Sequence, residues 1–233
     1  RVYIPANTKA KQLYRFNTEK KLFHKANPVF EKIDVAILAM HGLNGEDGTL
    51  QGLLELADIP YTSSGVLGSA AGMDKILMKA AYIGAGFPVL PYTFFDREAW
   101  HKDTEAVLDA CEARLHYPLF VKPSNLGSSI GISKAHDRNE LKTAIDIAAE
   151  YDRRILVEQG LDSPKEINCS AMGFGNEVTA SVCEMPYNAD EFLTFSDKYL
   201  NGGKNQASME ALARRIPAPI SEELTKRLQE AAV

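Results

Sequence analysis

Continuous apolar runs, bounded by glycine and proline, mark the candidate buried strands of this chain. The run at 35–40, Val-Ala-Ile-Leu-Ala-Met, predicts a buried parallel strand. Leu50, Leu53, Leu54 and Ala57 follow at helical spacing, and Ile59-Pro60 stops that helix. The pattern over 67–82 predicts one continuous helix with Leu77, Met78 and Ala81 on its packed face, ended by Gly84-Ala85-Gly86. Residues 87–95 read as an extended edge segment because Pro88 and Pro91 interrupt it. A helix over 103–115, strands at 118–121 and 130–133, a helix over 137–149 and a strand at 155–159 complete the middle of the chain. Asp137 with Glu140 three residues later forms a capping-box pattern for the second of those helices.

The two ends are less regular. Residues 14–16 and 21–23 predict short strands about a turn at Asn17-Thr18. Strands over 165–173 and 177–183 meet at Phe174-Gly175-Asn176 as a hairpin, and Ser221 caps a last helix with Leu224 and Leu228 inward. Residues 187–207 carry no periodicity, and a loop of that length with glycines and lysines suits a lid. The order of elements predicts an α/β layer at 1–66, an α+β module at 67–160 and a further segment at 161–233.

Charge narrows the function. Net charge is −5 with acids and bases interspersed, which argues against a nucleic-acid or membrane-surface partner. Cys111, Cys169 and Cys183 show no metal spacing, so a reducing, cytoplasmic setting is expected. No apolar run is long enough to cross a bilayer. Candidate chemistry centres on residues 120–134, where Lys122 stands at the mouth of a loop holding Asn125, Gly127, Ser128, Ser129 and Gly131. Amides of such a turn, with serine hydroxyls and a lysine, make an anion site. Taken alone the pattern equally fits an ordinary polar hairpin, and Lys75 alone reads as a solvated helix lysine. His41 lies beyond the carboxyl end of the 35–40 strand, where α/β sheets bind ligands.

Several stretches together resemble the D-alanine–D-alanine ligases of the ATP-grasp superfamily. They are His41-Gly42 with Gly45-Glu46-Asp47-Gly48-Thr49-Leu50-Gln51-Gly52, Pro60-Tyr61-Thr62, Met73-Asp74-Lys75, Val121-Lys122-Pro123-Ser124 with Gly127-Ser128-Ser129, Val157-Glu158-Gln159 and Lys198-Tyr199. The resemblance implies an ATP-grasp fold, α/β and α+β, with an N-terminal parallel-sheet domain. It implies ATP between the second and third segments, with adenine near Glu158, Gln159 and Leu161 and ribose near Glu166. Lys75, Lys122 and Ser129 would then meet the phosphates, and Lys198 would arrive with the lid. Ser128 and Tyr199 match the family's pair linking phosphate loop to lid, and His41 matches the residue beside the second substrate.

The same resemblance implies D-alanine and ATP as small-molecule partners, magnesium as cofactor and assembly as a homodimer. It places the activity in peptidoglycan precursor synthesis. Two alternatives stand beside it: a ligase taking D-serine second, as in vancomycin resistance, and a nucleotide-binding module without ligase chemistry. Glu158 and Glu166 are one residue further apart than in the family, and Phe192, Leu193 and Phe195 match its lid aromatics only in part. The family's first strand with its glutamate is expected before Arg1, and its arginine and magnesium ligands after Val233. A polypeptide of residues 1–233 alone is therefore expected not to make D-alanyl-D-alanine. Phosphate release from ATP by that purified fragment, dependent on both D-alanine and magnesium, would show that one of its own acids holds the metal.

Overall fold

The computed structural model describes residues 2–3, 14–15, 33–161, 164–186 and 214–233. The chain divides into two compact units, Arg1–Gly160 and Leu161–Val233. In the first, Val2–Tyr3 (β1) pairs antiparallel with Tyr14–Arg15 (β2), a partner different from the expected one at 21–23. The expected strand at 21–23 lies outside the described residues.

The 35–40 run differs from its expectation. It makes one parallel bridge, Ala36 to Tyr61, through Ala36 N to Pro60 O (2.8 Å) and Thr62 N to Ala36 O (3.0 Å). Ala36 and Leu38 pack on Leu54, Ala57 and Ile59, whereas Val35 and Met40 are exposed and Ile37 is 79% exposed. Strand side chains alternate, so a segment packed on one face leaves every second side chain outward whatever its polarity. Helix α1, Thr49–Leu56, supplies the packed face and ends, as its sequence predicts, before Ile59-Pro60.

The expected continuous helix over 67–82 is two helices, Val66–Met73 (α2) and Lys75–Gly84 (α3). Asp74 divides them. Its backbone is extended, and its Oδ1 accepts from the amides of Ile76 (3.1 Å) and Leu77 (2.9 Å), starting α3 afresh. The same carboxylate accepts from Ser124 Oγ at 3.0 Å and pairs with Arg154. Ser124 O in turn accepts from Lys75 N at 2.9 Å, so the first turn of α3 is fastened to the end of a sheet strand. The packed face of α3 is Ile76 and Lys79; Leu77 and Ala81 are exposed, because restarting the helix at Asp74 resets its rotation.

That sheet has four strands in the order β3-β6-β4-β5: Tyr92–Asp96 (β3), Leu119–Pro123 (β4), Ser133–Ala135 (β5) and Arg154–Gln159 (β6). All neighbours are antiparallel, and β3 is an edge, as its prolines predict. The second strand of the central hairpin begins at Ser133, later than the expected 130–133. Residues 124–132 form the connection instead. Helices Arg97–Lys102 (α4), Thr104–Glu112 (α5) and Arg138–Tyr151 (α6) complete the unit; α4 is not foreseen by the apolar pattern. Asp137 caps α6 through Asn139 N and Glu140 N, while Glu140 accepts from His136 N, close to the expected box.

Alternation divides β6 between two environments. Ile155 and Val157 join Leu119, Val121, Leu141, Ala144, Ile145, Ala148, Leu108 and Trp100 in the core, each Leu, Ile or Val side chain worth about 1.5–3 kcal/mol of burial. Leu156 and Glu158 fall on the opposite face and are equally buried. The second unit holds the hairpin Ala171–Phe174 (β7) and Glu177–Ala180 (β8), the pair Met185–Pro186 (β9) and Arg214–Arg215 (β10), and a helix Glu222–Ala232 capped by Ser221. Leu224 of that helix is exposed, against expectation, and Leu228 half-buried.

Asp74→Ala removes a helix cap and leaves Ser124 without its acceptor, so a loss of about 2–3 kcal/mol is expected by urea unfolding. Asp74→Asn keeps an acceptor at the cap and is expected to lose less. Equal stability of wild type and Asp74→Ala would show that the helix break does not depend on this side chain.

Candidate functional site

Two lysines close on one carboxylate on the β6 face opposite the core, and a third stands near them. Glu158 pairs across the strands with Phe120 on one side and Tyr92 on the other. Its Oε2 accepts from Lys79 Nζ at 2.8 Å and its Oε1 from Lys122 Nζ, with Glu158 and Lys79 each 8% exposed at the side chain. Lys122 reaches Glu158 diagonally, since its own partner on β6 is Leu156. Lys79 also lies 5.1 Å from the centre of the Tyr92 ring and 3.4 Å from Leu90 O. Burial alone would raise the Glu158 carboxyl, but Lys122 and Lys79 hold it below its ordinary value.

Lys75 is the third cation. It is half-buried and donates to Leu126 O, tying the first turn of α3 to the loop that follows β4. Burial, and after it the repulsion of Lys122, lower its ammonium to about 8, with Asp152 and Glu158 pulling the other way. The reading of Lys75 as a solvated lysine is thus corrected: restarting the helix at Asp74 turns it inward.

The 124–132 loop is held at both ends. Ser124 N donates to Arg154 O (2.9 Å), extending the β4–β6 ladder, and Asn125 N donates to Asp152 Oδ2 (2.7 Å). Ser128 and Ser129 then take left-handed backbone, φ 52 and 59. Two consecutive non-glycine residues there cost conformational energy that surrounding structure must hold in place. Gly131, at φ 69, has no room for a side chain, because a Cβ would stand 2.7 Å from Tyr151 and 2.8 Å from Pro123.

Beside Lys75 opens a cleft of about 690 Å³, within the size of small-molecule sites. His41, Glu46, Gln51, Ser69, Lys75 and Gly127 are among its lining residues. His41 is 75% exposed, with Nδ1 3.8 Å from Glu46. Glu46 accepts from Gly42 N and Asp47 from the amides of Asn44 (2.8 Å) and Thr49 (3.0 Å), so two acids fold the 41–48 loop onto α1. Burial would raise the Asp47 carboxyl, and those amides bring it below its ordinary value. Gln51 donates to Gly45 O at 3.0 Å, while its Oε1 is buried without a partner.

The residues singled out from sequence therefore fall into groups. Lys75, Lys122 and Glu158 come together, and the cleft joins His41 to Lys75 and the start of the serine loop. Gln159 is placed otherwise: its side chain is committed to the backbone of His116, accepting from the amide at 2.8 Å and donating to the carbonyl. Leu161 and Glu166 belong to the second unit and are exposed there. Lys198 and Tyr199 lie outside the described residues. Lys79 is the functional candidate that the sequence reading missed. The signal was its spacing of four from Lys75 and three from Ile76, which puts it on the buried stripe.

Residues 82–233 match the family described as D-ala D-ala ligase C-terminus, and residues 5–64 match D-ala D-ala ligase N-terminus. A D-alanine–D-alanine ligase of Acetivibrio thermocellus is 44% identical over 207 residues, 89% of this chain and 52% of that protein. The ligase of the same description from Heliobacterium modesticaldum is 46% identical over 210 residues, 89% of this chain and 55% of its own. The chain thus spans about half the length of the curated relatives it matches. Among solved structures, the VanG D-Ala:D-Ser ligase of Enterococcus faecalis superposes with TM-score 0.76 at 31% identity over 99% of this chain and 60% of that one. D-alanyl-alanine synthetase A of Vibrio cholerae superposes with TM-score 0.75 at 26% identity over 99% and 63%.

Removing Lys79 leaves a buried carboxylate with one partner in place of two. Lys79→Met is expected to cost about 3 kcal/mol in urea unfolding, and the double change Lys79→Met/Glu158→Gln to recover much of that. A single variant as stable as wild type would mean Lys79 is a solvated lysine after all.

Proposed function

The chain belongs to the D-alanine–D-alanine ligase family, with its ATP-grasp fold, and from that premise we propose that it joins two D-alanines at the expense of ATP. The carboxylate of the first D-alanine attacks the γ-phosphorus, forming an acyl phosphate and releasing ADP. The amine of the second then attacks the acyl carbon, forming the peptide bond and expelling inorganic phosphate. Phosphoryl transfer of this kind needs positioning and neutralised charge more than covalent participation by the protein.

The observation that carries the reading is the charge balance: Lys79 and Lys122 pair with Glu158, and Lys75, repelled by Lys122, is attracted by Asp152 and Glu158. Three ammonium groups against two carboxylates, beside a loop with left-handed serines, suit a polyphosphate. Lys122 and Lys75 are assigned to the phosphates and Ser128 and Ser129 to the loop that covers them. Glu158, with Gln159, Leu161 and Glu166, is assigned to the nucleoside side. Lys79 holds Glu158 so that Lys122 is not wholly spent on it. His41, in the 690 Å³ cleft with Lys75, is assigned to the second amino acid. Ser128 with Tyr199, and Lys198, complete the proposed catalytic set.

Magnesium, when bound, would offset phosphate charge. Among the described residues no group of three or more His, Cys, Asp or Glu side chains stands so as to hold a metal ion, so no step is assigned to the metal here. Among those residues, too, no helix is long and apolar enough to cross a membrane. Action in the cytoplasm as a homodimer, supplying a dipeptide to peptidoglycan synthesis, forms part of the proposal. A D-serine acceptor is the second reading, favoured by the superposition on the Enterococcus faecalis D-Ala:D-Ser ligase.

Full-length protein given ATP, magnesium, D-alanine and D-serine together is expected to yield mainly D-alanyl-D-alanine by mass spectrometry. Predominant D-alanyl-D-serine would establish the second reading, and ATP binding with no dipeptide would leave a nucleotide-binding module. Lys122→Ala is expected to weaken ATP about tenfold or more, the worth of a charge-assisted contact, and adenosine hardly at all. Unchanged ATP affinity by calorimetry would remove this loop from the nucleotide site.

A further inference from the structure

Two cysteines of the second unit stand opposite one another in a strand pair that no proposed step uses. Asn168 and Glu184 exchange both backbone hydrogen bonds, at 2.8 and 2.9 Å, as an antiparallel bridge. One residue inward on each strand stand Cys169 and Cys183. The next contact joins Ser170 to Ser181, so Cys169 lies opposite two residues, Val182 and Cys183, as in a β-bulge. A disulfide spans Cα separations of about 4.4–6.8 Å, the range of neighbouring antiparallel strands. Ser181 N to Ser170 O (2.7 Å) and Ser170 N to Ser181 Oγ (3.0 Å) hold the frame on the other side. Both cysteines are free thiols, and Cys169 stands near enough to Cys183 to act on its titration.

They are not equivalent. Cys183 is 1% exposed, and burial together with the neighbouring Cys169 pushes its thiol up. Cys169 is half-buried, with Sγ 3.5 Å from Ser181 O, and is the one an oxidant reaches. Cys111 sits in the core of the other unit, its thiol pushed up to about 12 by burial and by Glu112.

We propose that Cys169 and Cys183 form a reversible dithiol–disulfide site whose oxidant is a hydroperoxide. The Cys169 thiolate attacks the outer peroxide oxygen; an S–O bond forms, the O–O bond breaks and alkoxide leaves, or hydroxide when the oxidant is hydrogen peroxide. The Cys183 sulfur then attacks the Cys169 sulfenic sulfur; the S–S bond forms, the S–O bond breaks, and water leaves with the Cys183 proton. Two electrons pass from the two thiols to the peroxide, and a dithiol reductant reverses the change. The bond ties together two strands, one of which continues within two residues into β9. It therefore slows opening of the Asn168–Glu184 bridge.

The test takes reduced full-length protein through hydrogen peroxide, then alkylation and intact mass measurement without reductant. The expected result is loss of two hydrogen atoms and of two alkylation sites, with Cys111 still alkylated. Chymotryptic peptides should place the cross-link between Cys169 and Cys183, and dithiothreitol should restore both thiols. Amide exchange at Asn168 and Glu184 should slow on oxidation. In Cys183→Ser, dimedone should capture Cys169 as its sulfenic acid. Oxygen adducts without a cross-link, a bond between two chains, three unreacted thiols or no dimedone adduct would each overturn the proposal.

Discussion

A carboxylate buried between two ammonium groups fixes the geometry of the first unit. Glu158 is almost fully covered, and an ionised acid in that position must be paired or give up its charge. Lys79 comes from α3 and Lys122 from β4, so satisfying Glu158 on β6 requires that helix and both strands to be in register at once. Core packing on the opposite face, through Ile155 and Val157, sets where β6 runs; the ion pairs set what stands on its other side. Asp74 makes the same connection from the end of the helix, holding Ser124 and Arg154 while starting α3.

Function follows from the surplus. Glu158 and Asp152 do not balance three lysines, and burial, with the repulsion of Lys122 after it, lowers the Lys75 ammonium to about 8. A polyanionic ligand would supply the missing charge. The serine loop is prepared for it, since Ser128 and Ser129 already carry the backbone strain that an anion-cradling turn requires. In the proposed arrangement the order Lys75, Lys122, loop and cleft leads from the phosphates toward His41 without leaving the first unit.

Much of this was legible in the sequence, and the reasons for the rest are physical. Strands β4 and β6 and helix α6 follow from apolar runs and a cap because their side chains meet one continuous core. The break at Asp74 is invisible to periodicity: Gly72 lies within the helix before it, and the aspartate acts through Ser124 and Arg154, 50 and 80 residues away. Lys79 was missed because a lysine in an amphipathic helix is ordinarily solvated, and only Glu158 makes its burial tolerable. The 35–40 run reads as wholly buried because composition does not reveal that one face alone is covered. The site residues Lys75, Lys122 and Glu158 emerged through a family pattern, and the alternation of β4 and β6 explains why they share a face.

The central claim is that the lysine cluster is a polyphosphate site with one cation kept short of its full charge. Calorimetry of ATP binding to the full-length protein at pH 8, in two buffers of different ionisation enthalpy, tests it directly. A group half deprotonated in the free protein and charged in the complex takes up about half a proton, so affinity should fall as pH rises through 8. Adenosine, lacking phosphates, should bind with no proton uptake. Heats of ATP binding that do not depend on the buffer would contradict the assignment of Lys75 to the phosphates.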